Sequence, residues 1–199
     1  MNALLRKWIQ LGETKEYKRN DVILSEGDKT DSLYIIYKGA VIIQKEQERE
    51  KLILDVLSHG ELFCEEACLG VNAYPLEVKA MNACTIVKLP IARIKEDPEF
   101  LTFLLTTVIY KKQSLFNKAI SYRYESTKQQ LLGTLIYLSR KNLAITHPEG
   151  RIVKVSRITL SGIILRNRET VGRTLKELEA EGLIKANGME ILLYHNTLK

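Results

Sequence analysis

The chain has 199 residues, 45% hydrophobic and 27% charged, a balance that builds packed cores and argues against a disordered chain. Its three cysteines, Cys64, Cys68 and Cys84, lack disulfide-framework or metal-site spacing, and no apolar run approaches the ~18 residues of a membrane span. The net charge is +6, and residues 126–199 carry all of it, with 12 Lys and Arg against 6 Asp and Glu. A neutral N-terminal part joined to a basic C-terminal part predicts that the second part meets a polyanion.

The N-terminus, MNALLRKWIQLGETKEYKRN, shows no apolar signal core and no small-residue cleavage site, so a cytoplasmic location without membrane contact is expected. Residues 21–90 read as short strands. LYIIY and AVIIQ flank Lys38-Gly39, which predicts a hairpin with a two-residue turn. LILDVL alternates and ends at Ser58-His59-Gly60, and EVKAMNACTIVKLP supplies two more strands around Met81-Asn82. Strands at this spacing predict a sandwich or barrel. Cys64 and Cys68 read as two small buried thiols, with a redox pair as the alternative.

Residues 98–123 change period. Asp97-Pro98 opens a helix. Leu101, Leu105, Val108, Leu115, Ala119 and Tyr122 recur in steps of four and three, with Lys112 in the one polar slot, which predicts a seam against a second copy. Leu104, Ile109 and Phe116 widen the stripe toward packing on the chain's own strands.

Residues 126–199 read as helix, strand, helix, helix, hairpin. STKQQLLGTLIYLSRKN is amphipathic through Leu131, Leu135 and Leu138. His147-Pro148-Glu149-Gly150 is a turn before the strand RIVKV. Ser156 begins a short helix over Ile158 to Ile164, and Asn167 caps RETVGRTLKELEAEG, which stops at Gly182. LIKA and MEILLY around Asn187-Gly188 form a hairpin. Two short helices followed by a hairpin make a winged helix-turn-helix. On its second helix, Arg168, Glu169 and Arg173 can point outward together, opposite Val171, Leu175 and Leu178. Arg bonds guanine O6 and N7 and Glu accepts from cytosine N4, so this end suits the major groove. Asn167, Thr170, Lys154 and Lys185 are expected beside phosphates. No Gly-rich phosphate loop, His-Glu-x-x-His pair or Gly-x-Ser-x-Gly elbow occurs, so no enzyme, catalytic residue or metal site is expected.

RNRETVGRTLKELEAEGLIKANGMEILLY resembles the recognition helix and wing of the Crp/Fnr family of bacterial transcription regulators. SEGDKTDSLYIIYKGAVII and GELF resemble that family's cyclic-nucleotide-binding roll. The resemblance implies an α+β chain with three parts: a jelly-roll-like double-stranded β-helix as sensor over 1–97, a central dimerisation helix over 98–123, and a winged helix-turn-helix over 124–199. It implies a homodimer on a two-fold symmetric DNA operator, base reading by Arg168, Glu169 and Arg173, a TGTGA-like half-site, RNA polymerase as a partner and a small-molecule effector. A sensor or regulatory subunit without specific DNA binding is the alternative.

Two positions depart from the family's pattern. Leu165 stands where the inter-helix turn usually has Gly, which predicts an altered turn. Cyclic-AMP-binding members place an Arg-Ser pair after the Gly-Glu pair; Gly60 and Glu61 are present here, but the later position reads Tyr74-Pro75 and no Arg lies between Arg49 and Arg93. An effector pocket is expected around Gly60, Glu61, Tyr74 and Ser114, suited to a neutral or hydroxyl-bearing ligand and not to cyclic AMP in the usual way. Lys79 and Lys112 are the lysines that bear on the missing charge. The absence of a cysteine before Cys64 argues against an iron–sulfur cluster, haem would need a ligand such as His59, and the cofactor is left unknown.

Overall fold

Over residues 13–90, apolar side chains recur on one side of each short strand, and two sheets bury those sides against each other. The computed structural model describes residues 3–47, 50–71 and 73–198. Eight strands form this part: β1 (Glu13–Tyr17), β2 (Val22–Leu24), β3 (Ser32–Lys38), β4 (Ala40–Gln47), β5 (Glu50–Ser58), β6 (Leu62–Phe63), β7 (Glu77–Ala80) and β8 (Cys84–Pro90). One sheet runs β1-β8-β3-β6 and the other β2-β7-β4-β5. Their shared core includes Leu24, Tyr34, Ile36, Val41, Phe63, Tyr74, Val78 and Ile86. Tyr34 and Phe63 stack within it, with centroids 5.1 Å apart.

Lys38-Gly39 is not a hairpin turn. Strand β3 pairs with β8 and β6, whereas β4 pairs with β7 and β5, so the chain crosses between sheets here. It crosses back between β7 and β8, and the two crossings brace each other. Asn82 Oδ1 accepts from Ala40 N at 2.9 Å. Gly39 has φ of +84°, and a Cβ there would stand 2.5 Å from Ala83 O. A corner and a hairpin turn both favour Gly at positive φ, so local pattern did not separate them.

The chain divides into two compact units, residues 1–45 with 54–116 and residues 46–53 with 117–199. In the first unit, helix α1 (Ala3–Ile9) and the start of α2 (Pro98–Tyr124) share a second core with the β1-β8-β3-β6 sheet. Trp8 lies edge-on to Phe100 at 5.3 Å and tilted to Phe103 at 5.1 Å. Asp97 caps α2, its Oδ1 accepting from Glu99 N and Phe100 N. Its Oδ2 accepts from Lys7 Nζ at 2.9 Å and from Trp8 Nε1 at 3.1 Å. Phe100, Phe103 and Leu104 face this core, while Leu101, Leu105, Val108, Ile109, Leu115 and Phe116 stay exposed on α2.

The second unit contains α3 (Thr127–Arg140), β9 (Ile145–His147), β10 (Gly150–Lys154), α4 (Arg157–Ile164), α5 (Arg168–Ala180), β11 (Ile184–Asn187) and β12 (Glu190–Tyr194). A capping box between Ser126 and Gln129 starts α3. The sheet order is β11-β12-β10-β9, so the predicted hairpin is extended by β10 and by a short strand the pattern did not reveal. Leu131, Leu135, Leu138, Leu160, Val171, Leu175, Leu178 and Ile191 fill this unit's core. With its paired helices and wing, it is a winged helix-turn-helix.

The bonds from Lys7 and Trp8 hold the Asp97 carboxyl down to about 2, from an ordinary 3.8. A depressed carboxylate stabilises the fold above its unfolded value and loses that contribution as pH falls toward the folded one. Asp97→Asn is therefore expected to lower the urea midpoint at pH 6, with the gap to wild type closing between about pH 4 and pH 2. Fluorescence of Trp8, the single tryptophan, reads this directly.

Candidate nucleic-acid interface

Helix α5 begins at a built cap. Asn167 is extended, and its Oδ1 accepts from Thr170 N at 2.7 Å. This satisfies one of the four donors that a helix start leaves open. Beyond the cap, Val171, Gly172, Thr174, Leu175 and Leu178 are buried. Arg168, Glu169, Arg173 and Lys176 are exposed. The 100° step per residue explains the division.

The exposed side borders a groove of about 550 Å³ lined by Arg157, Arg168, Glu169, Gly172, Arg173 and Lys176. Four cations and one carboxylate converge there. Arg157 opens α4, and its guanidinium rests against Gly172, where a Cβ would stand 3.4 Å from Nη1. Arg157 and Lys176 were not singled out from sequence. Lys176 was findable, since it follows Arg173 by three residues on the same helix face. Arg157 was not, because only the fold brings the start of α4 beside α5.

The other expected phosphate neighbours are dispersed. Asn167 uses its side-chain oxygen in the cap, and Thr170 is half-buried with its N–H bonded to that oxygen. Lys154 pairs with Glu190 Oε1 at 2.7 Å across β10 and β12. Lys185 is exposed on β11.

Leu165 itself takes the left-handed conformation, φ 52° and ψ 47°, at the end of α4. The turn therefore keeps a geometry that Gly adopts freely, at a cost of about 1–2 kcal/mol for a residue with a Cβ. Tyr122, expected as the last seam position of α2, instead donates from its hydroxyl to Ile163 O.

In the roll, Gly60 (φ 87°) and Glu61 form the turn after β5. Glu61 Oε2 accepts from Ser58 N at 2.8 Å and Ser58 Oγ at 3.1 Å. Tyr74 is buried beside Cys64, and the carboxylates that act on its phenol are Glu66 and Glu65. Burial, then Glu66 and Glu65, push that phenol far up. The Cys64 thiol, at the left-handed start of the 3₁₀ turn Glu65–Leu69, is pushed up to about 12 by burial first and Glu66 second, so it stays protonated at neutral pH. Ser114 is half-buried on α2. From α2, Lys111 reaches the roll. Its Nζ donates to Glu65 Oε1 at 2.7 Å, Oε2 at 3.0 Å and Leu62 O at 2.8 Å. Lys112 is exposed over the Phe116 ring. Glu65 and Lys111 were missed because the Gly60-Glu61 pair drew the reading one turn too early. Among the described residues no group of three or more His, Cys, Asp or Glu is placed to hold a metal, and no helix is long and apolar enough to cross a membrane.

Residues 14–96 match the cyclic nucleotide-binding domain family. The cAMP-activated global transcriptional regulator CRP of Salmonella typhimurium is 29% identical over 188 residues, covering 90% of this chain and 88% of that protein. A CRP/FNR-family transcriptional regulator of Thermus thermophilus superposes with a TM-score of 0.78 at 26% identity, over 91% of this chain and 93% of that one. The c-di-GMP responsive global regulator CLP of Xanthomonas campestris shares the fold, with a TM-score of 0.82 at 23% identity over 97% of this chain and 99% of its own.

Proposed function

We propose that this chain is a Crp/Fnr-type transcription regulator that binds a two-fold symmetric operator as a homodimer, a reading its likeness to that family supports. In this reading α5 enters the major groove, where Arg168 and Arg173 address guanines and Glu169 a cytosine. The observation that carries it is the groove of four cations beside the capped, exposed start of α5. Thr170 and Lys185 then meet phosphates, Asn167 keeps its cap and offers its amide, and Lys154 joins them when its pair with Glu190 opens. The family's role also makes RNA polymerase a partner.

The exposed outer side of α2 supports the dimer. Leu101, Leu105, Val108 and Leu115 lie in solvent in one copy, and a second copy's α2 is the surface that would cover them. A sensor without DNA reading leaves the basic groove of the winged helix without a role.

The effector pocket of this proposal lies around Tyr74 and favours an uncharged, hydroxyl-bearing ligand. The Salmonella relative is activated by cAMP and the Xanthomonas protein responds to c-di-GMP. Here the Glu66 and Glu65 carboxylates act on the buried Tyr74 phenol, and Lys111 already bonds Glu65 and Leu62 O. A phosphate brought beside Glu65 and Glu66 meets carboxylates and a lysine that is already paired, which disfavours it.

Three outcomes follow. Arg173→Ala is expected to cost about 1–3 kcal/mol of operator binding and to relax the preference at one guanine, read by anisotropy on permuted half-sites. Replacing Leu105 and Leu115 together by Glu is expected to give monomers at micromolar concentration in sedimentation velocity, with operator affinity falling alongside. Calorimetry with cyclic AMP and cyclic GMP is expected to show no micromolar binding that strengthens operator affinity.

A further inference from the structure

The turn that aims α5 is held by side chains from outside the helix-turn-helix pair. Helix α4 ends at Ile164, so the carbonyl of Ile163 has no partner along its own helix. Tyr122, on the last turn of α2, donates its hydroxyl to that carbonyl. Two residues on, Leu165 occupies the left-handed conformation without the freedom of Gly. Arg166 then ties the far side of the turn, donating from Nε to Thr127 Oγ1 at 3.3 Å and from Nη1 to Leu165 O at 3.0 Å.

The joint from which these groups project is braced as well. Gln130 is buried in the first turns of α3 and donates through Nε2 to Ser121 O at 3.2 Å and to Glu125 O at 3.0 Å. Ser121 also bonds the Glu125 carboxylate. The end of α2, the start of α3 and the α4–α5 turn are thus one hydrogen-bonded assembly. Burial pushes the Tyr122 phenol up, with Arg166 acting the other way, so the hydroxyl remains a donor across the neutral range.

We infer that Tyr122 is a positioning residue for DNA reading: its bond to Ile163 O keeps the strained Leu165 turn in one arrangement, and through it holds Arg168, Glu169 and Arg173 in register with the bases. The inference rests on the proposal that α5 reads DNA. Without the hydroxyl, a buried carbonyl loses its partner and the turn has less to hold it against its own strain. Leu165→Gly removes that strain, so the bond matters less in its presence. The two positions are coupled energetically although their side chains do different things.

The test is a double-mutant cycle on the full-length chain with Tyr122→Phe and Leu165→Gly. Each variant is titrated with a duplex selected by wild type and with a scrambled duplex at one salt concentration. Tyr122→Phe is expected to weaken selected-duplex binding about tenfold while scrambled-duplex binding stays within about twofold. In the Leu165→Gly background the same change is expected to cost about threefold or less. A merely structural role would lower both affinities together. An unchanged ratio of selected to scrambled binding in a folded Tyr122→Phe protein overturns the inference and leaves the DNA-reading proposal standing. So does an equal loss in both backgrounds. A wild-type chain that selects no duplex overturns both.

Discussion

Helix α5 has only one side to bury, and the C-terminal unit is arranged around that limit. Val171, Leu175 and Leu178 supply the apolar side, and α3, α4 and the wing close over it. The opposite side must then stay in water, and it is where Arg168, Glu169, Arg173 and Lys176 stand. Burying any of these charges without a partner would cost more than the helix gains. The Asn167 cap fixes where the exposed side begins, and the Leu165 turn fixes where it points. Core packing and the placement of charge are therefore one constraint seen from two sides.

The same reasoning applies to α2. Phe100, Phe103 and Leu104 pack on the roll with Trp8, which leaves an apolar row facing outward. Lys111 lies between the two and is drawn inward by Glu65 and Leu62 O. It thereby joins the middle of α2 to the 3₁₀ turn of the roll. A ligand that changes the surroundings of Glu65 would act on α2 through this pair, because a ligand shifts an equilibrium only by binding its two states unequally.

Much of this was legible in the sequence because the signals were periodic or local. The apolar rhythm of α3 and α5, the helix start at Ser156, the cap at Asn167 and the Asn187-Gly188 turn each rest on neighbouring residues. The exposed trio Arg168, Glu169 and Arg173 followed from helical geometry alone. What escaped depended on residues far apart in the chain. Lys38-Gly39 is a corner because Asn82 and Ala83 stand against it, which no local pattern records. Tyr122 fits a heptad yet bonds a carbonyl 41 residues away. Arg157 joins the groove only after α4 folds beside α5. At Glu65, the competing Gly60-Glu61 pair looked more like the familiar motif and masked the carboxylate that meets Lys111.

We propose that two copies of α5 read two halves of one operator. Hydroxyl-radical footprinting of the protein on a duplex obtained by selection tests it most directly. Two symmetry-related protected patches on one face of the DNA are expected, with half-site centres about one helical turn apart. A single unsymmetrical patch, or protection that does not depend on sequence, would contradict it.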